Sequence, residues 1–217
     1  MKKSPLVGRL SHKAAFTLIE LLAVILIIGI LASALIPMVT DAVAQSRVTA
    51  CQQNLKNIYQ GLMVYKTTFK EVPKDSGVRF FADIIAREAI ENTKTNAERL
   101  TCPAIEKSAL AIGQLPWDEW WSDLELVDGT YSAYAGRDMR NHPLRKFPGS
   151  GNEPLIADDN DGGMNHRIVT NVLYGDGSVQ TFALPDLRQE GLVMEEEKIL
   201  EVGPDSPVED LRKLSLD

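Results

Sequence analysis

Between Leu21 and Thr40 the chain carries no charged side chain and is built almost wholly from Leu, Ile, Val and Ala. A run of that length is enough to cross a bilayer as one helix, which excludes a purely soluble single-core protein. It is also too long for an ordinary secretory leader, although a basic start (Lys2, Lys3, Arg9 and Lys13) precedes it. Those positive residues predict a cytoplasmic N-terminus and a translocated remainder. Two residues disturb the simple picture of an anchor. Glu20 places a carboxylate at the edge of the apolar run, where an unpaired charge is costly and points to a function. Pro37 removes one backbone hydrogen bond inside the run and is expected to loosen or kink the helix.

Beyond the span, 217 residues leave room for one domain of ordinary size. The net charge of -7 disfavours nucleic acid as a partner, because phosphate contacts need clustered Lys and Arg. Much of that charge lies between Asp186 and Asp217, which is therefore read as a solvated acidic extension without a large core. Cys51 and Cys102 form an even pair in a chain expected to be exported, which predicts a disulfide. Two buried free thiols are the other reading.

Val48, Cys51, Leu55, Ile58, Leu62, Tyr65 and Phe69 alternate spacings of three and four, giving one apolar stripe on a helix. The polar flanks carry little of the alternating charge a coiled coil wants, so the stripe is expected to dock on the chain's own sheet. A helix from Phe16 to Phe69 would be on the order of 80 Å long. "VPKDSG" (72–77) is expected to stop it, and Phe81, Ile84, Ile85 and Ala89 to form a shorter second helix. Trp117, Trp120 and Trp121 are expected in the core or as a cover over the sheet. Strands are expected at Tyr131–Ala135, from Leu155 to Ala157, and in "RIVTNVLYGDGSVQTFAL", where Asp176-Gly177 reads as a two-residue hairpin turn.

The segment "AAFTLIELLAVILIIGILASALIP" resembles the N-terminus of type IV pilins and type II secretion pseudopilins. The resemblance implies cleavage by a prepilin peptidase between Ala15 and Phe16, followed by methylation of the new amino terminus. Glu20 then becomes the fifth mature residue, positioned to pair with a neighbouring subunit's terminal amine and so reward assembly. Pro37 falls where the family often has a helix-breaking proline. Ala15 departs from the family, which prefers Gly before the cut. "CQQNLKNI" from Cys51, "CP" at Cys102-Pro103, and His166 followed after nine residues by Asp176-Gly177 are similar to the H-x9-D-G group of pilin-like proteins.

The expected architecture is α+β and pilin-like, with a long N-terminal helix on a small antiparallel sheet. Its segments would be a leader (1–15), a transmembrane and polymerisation segment (16–40), a periplasmic domain (41–185) and the acidic extension (186–217). The expected role is a non-enzymatic fibre subunit in the bacterial inner membrane. It would partner other copies or other pseudopilins, the peptidase and an assembly platform. The alternative is an anchored metal-binding or hydrolytic domain. His166 and Asp176 suggest acid–base chemistry, but no nucleophile, phosphate loop or second acid accompanies them. Asp158, Asp159 and Asp161, with Asn160 and two following glycines, offer hard oxygen ligands suited to calcium. The major pseudopilins hold calcium in a late loop. His166 is not an expected calcium ligand, but with these carboxylates it could help bind zinc.

Overall fold

The computed structural model describes residues 16–149, 151–160 and 162–217. The leader, with Ala15, and Asp161 lie outside the described residues. The chain divides into two compact units, one ending at Val43 and one spanning Ala44–Asp217. Helix α1, Leu18–Phe69, is continuous through Pro37. In the first unit its large apolar side chains, among them Leu22, Ile25, Ile28, Leu31 and Ile36, are exposed. That stretch is long and apolar enough to cross a membrane.

In the second unit α1 behaves as its periodicity requires. Val48, Cys51, Leu55, Ile58, Leu62 and Tyr65 are all buried, while Phe69 at the helix end is partly exposed. Each fully buried Leu or Ile of that stripe contributes roughly 1.5–3 kcal/mol. Helix α1 ends one turn before the expected proline. Lys70 takes a left-handed conformation and donates its N–H to the Lys66 carbonyl, while the Lys66 and Lys70 ammonium groups bond the last carbonyls. Helix α2, Val78–Ala86, follows as expected, and a single α-helical turn and a half, α3, spans Lys94–Arg99.

Five short strands make one antiparallel sheet: β1 Tyr134–Arg137, β2 Pro154–Asp158, β3 Val169–Tyr174, β4 Val179–Ala183 and β5 Leu214–Ser215, in the order β4-β3-β2-β1-β5. The expected first strand is shifted. Gly129–Tyr131 forms a 3-10 turn instead, because the Asp128 carboxylate accepts the Thr130 N–H and holds the backbone in a turn. Helix α4, Leu184–Gln189, follows β4.

The two faces of the sheet have different covers. Tyr134, Ile156 and Leu173 join the α1 stripe, Phe80, Phe81 and Ile84 in the larger core. Trp121 is fully buried in that core, with its indole N–H bonded to the Ala97 carbonyl. Trp120 is buried beside it and bonds the Leu115 carbonyl, so the tryptophans serve packing. Ala135, Ala157, Val172 and Tyr174 face a second core formed with Leu184, Leu187, Val193, Leu200, Val208, Leu211 and Leu214.

The acidic segment is therefore not a solvated extension. It covers one face of the sheet and supplies β5, whose Leu214 pairs with Arg137. Its apolar residues turn inward while Glu190, Glu195, Glu196, Glu201 and Glu209 stay exposed. Tyr174 Oη donates to Asp210 at 2.8 Å, so even one of the acids is used for docking. Burial, reinforced by that carboxylate, pushes the Tyr174 phenol above its ordinary range.

The junction between β1 and α2 is close. A Cβ on Gly136 would lie 1.9 Å from the Gly77 carbonyl oxygen, a backbone atom that cannot swing aside. Gly136→Ala is expected to cost about 3 kcal/mol by forcing the two backbones apart. Thermal unfolding of the variant measures it, and an unchanged midpoint would contradict the close contact.

Candidate functional site

Three regions carry the residues singled out in the sequence. At the start of α1, Thr17 and Glu20 bond each other reciprocally. The Thr17 N–H and Oγ1 donate to Glu20 Oε2 at 2.9 and 2.8 Å, and the Glu20 N–H donates to Thr17 Oγ1 at 3.3 Å. This is a capping box, which satisfies donors left open at a helix start. Sequence reading singled out Glu20 but missed its partner, although Thr-x-x-Glu is itself the signal. Phe16, the residue expected to lead the mature chain, is exposed beside this cap.

The hairpin joining β3 and β4 holds Asp176-Gly177. Its loop has three residues, not two. Gly177 donates to the Tyr174 carbonyl and sits at φ +84°, and Tyr174 then bonds the Ser178 carbonyl. A type I turn closed by a left-handed glycine fits the strand twist. Asp176 accepts the Ser178 N–H and hydroxyl, bonds that hold its carboxyl below the usual range. The turn seats on α1, where Tyr59 Oη donates to the Gly175 carbonyl and a Cβ on Gly177 would meet the Tyr59 ring at 2.8 Å. Asp176 is thus a turn residue.

His166 has a different carboxylate. Its imidazole Nε2 lies 3.5 Å from Asp158 Oδ1 and 3.3 Å from Cys102 Sγ. Cys51 Sγ donates to Asp158 Oδ1 at 3.2 Å and accepts from Tyr134 Oη at 3.4 Å. The four donor atoms of Cys51, Cys102, Asp158 and His166 lie within 4.8 Å of one another, and all four residues are buried. They come from α1, the loop after α3, the end of β2 and the segment before β3. Asn171 on β3 fixes the carboxylate by donating its N–H and side-chain amide to Asp158 Oδ2 at 2.8 and 3.1 Å.

Burial alone would push the His166 imidazolium down. Bonds to Asp158 and the Cys51 sulfur, with the charge on Asp158, outweigh it and carry the group up to about 9. Burial pushes the Cys51 thiol far up, and the neighbouring Cys102 and Asp158 add to that. The Tyr134 phenol is raised for the same first reason.

Two expectations need correction here. The cysteines are close but are free thiols, each directed at a polar partner, Cys51 at Asp158 and Cys102 at His166. The calcium expectation fails at Asp158, whose two oxygens are engaged with Cys51, His166 and Asn171 inside the domain. Asp159 is not part of that cluster. Asn160 is used structurally, donating to Thr170 Oγ1 and the Leu200 carbonyl.

The capping box and the apolar helix that follows it decide the comparison with known proteins. Residues 10–36 match the prokaryotic N-terminal methylation motif. The match supports a type IV pilin-like precursor and a prepilin peptidase substrate, and it points to a structural role. Searches of the curated proteins and of the solved structures returned no significant match.

Proposed function

We propose that the chain is a pilin- or pseudopilin-like structural subunit of a type II secretion or type IV pilus system. A prepilin peptidase cuts it between Ala15 and Phe16 and methylates the Phe16 amine. The processed helix then assembles with other copies or other pseudopilins into a fibre, through an inner-membrane platform. The observation that carries this reading is the methylation motif at residues 10–36, set on a helix whose apolar side chains from Leu18 to Val39 are exposed. Such a surface needs lipid before assembly and neighbouring helices after it. The basic leader places the N-terminus in the cytoplasm and the domain outside. The hydrolytic alternative has less support, because His166 and Asp176 take different partners.

The test is mass mapping of the chain isolated from bacterial membranes. The expected terminal peptide begins at Phe16 and carries one methyl group on its amine. A chain that retains its leader in cells with an active peptidase would overturn the proposal. The small side chain of Ala15, in place of Gly, makes the processed fraction the quantity to measure.

A further inference from the structure

We propose that Cys51, Cys102, Asp158 and His166 form a closed structural zinc site that fastens α1 to the sheet. A tetrahedral zinc with Zn–S of ~2.3 Å and Zn–N or Zn–O of ~2.0–2.1 Å sets its ligand atoms about 3.3–3.8 Å apart. The cluster already approaches those edges: 3.2 Å from Cys51 Sγ to Asp158 Oδ1, 3.3 Å from Cys102 Sγ to His166 Nε2, and 3.5 Å from His166 Nε2 to Asp158 Oδ1. Closing it around an ion needs side-chain adjustments of tenths of an ångström, with no movement of the backbone.

The donor set selects the metal. Two sulfurs and one imidazole are too soft for calcium or magnesium, while a single carboxylate oxygen completes a set that suits zinc. All four donors are side chains of buried residues, which is the pattern of a closed structural site without an open position for substrate. The surroundings are those of a supported site. Asn171 occupies Asp158 Oδ2 and leaves Oδ1 aimed at the sulfurs and the imidazole, and Tyr134 Oη donates to Cys51 Sγ. Binding releases the two thiol protons to solvent and forms two Zn–S bonds, one Zn–N bond and one Zn–O bond. No oxidant or reductant is involved.

The ligands are spread over the chain, so the ion would bridge segments that are distant in sequence. Cys51 lies on the helix that carries the methylation motif, and Asp158 and His166 flank the loop between β2 and β3. A metal that joins such segments stabilises by restricting the unfolded chain and by binding only the folded one. Bound thiolates would also be protected from oxidation outside the cytoplasm, which is the competing fate of two neighbouring cysteines.

The experiment uses the full-length chain purified in detergent, with zinc and cobalt(II) salts as the probes. Native mass spectrometry is expected to find one zinc per chain. Cobalt substitution should give the visible bands of a tetrahedral, thiolate-ligated ion. Removing zinc with a chelator is expected to lower Tm by about 10 °C. Cys102→Ser and His166→Ala should each lose the ion, while His142→Ala, an exposed histidine elsewhere in the domain, should keep it. The wild-type measurements stand even if a variant does not fold. The proposal is overturned by failure to retain zinc, by a six-coordinate cobalt spectrum, or by a Cys51–Cys102 disulfide in chain isolated without reductant. Zinc that persists in both variants would overturn it equally.

Discussion

A chain ending at Pro185 is expected to lose the cooperative unfolding transition of the domain. The deletion removes β5 from the edge of β1 and strips Leu187, Val193, Leu200, Val208, Leu211 and Leu214 from one face of the sheet. Truncating a single buried leucine costs about 2–5 kcal/mol, and whole domains are stable by only about 5–15 kcal/mol. Removing six such side chains and a strand exceeds that margin. Leu211→Ala is the graded version, expected to lower stability by about 3 kcal/mol while leaving a folded protein. Chemical denaturation followed by circular dichroism measures both. A deletion variant with the wild-type midpoint would restore the reading of this segment as a solvated appendage.

The second large effect concerns Glu20. As the N3 residue of a capping box it accepts from Thr17, and both bonds fall on one carboxylate oxygen. In the proposed fibre the same carboxylate meets the Phe16 amine of a neighbouring subunit, so that two charges offset each other's desolvation. Substitution separates the two roles. Glu20→Gln keeps an oxygen acceptor for the cap but removes the charge, whereas Glu20→Ala removes both. Incorporation into sedimentable fibre is expected to fall at least about tenfold in both variants, the scale of one lost charge-assisted hydrogen bond. Insertion of the precursor into membranes should be unchanged. Wild-type incorporation of Glu20→Gln alongside failure of Glu20→Ala would assign the residue to capping and remove the ion pair from the mechanism.

Local pattern made much of the fold legible. The stripe from Val48 to Tyr65 is buried as its spacing requires, α2 falls where its apolar residues place it, and β2, β3 and β4 occupy the runs that predict them. Each of these depends on periodicity within one segment. The acidic segment was misread because composition averages over residues that face opposite ways. Its acids are largely exposed and its leucines, one every few residues, are buried. A signal for the missing cover was present in the strands. β2 is apolar along nearly its whole length, and a strand of that kind needs both faces covered.

The candidate sites divide in the same way. Thr17 and Glu20 are three residues apart, so their cap is a local property that the sequence contains in full. The hairpin glycine is local too, although the loop length depends on the register of β3 against β4. The cluster of Cys51, Cys102, Asp158 and His166 is not local. Nothing in the spacing of those residues indicates that His166 faces Asp158 rather than Asp176, or that each cysteine faces a polar partner. By itself the sequence determined the apolar helix, its capped start and the methylation motif, because these follow from neighbours within a few turns. Only the tertiary structure decided which carboxylate meets the histidine and which segment covers the sheet. Both depend on packing among segments that the chain brings together from as far apart as residues 51 and 214.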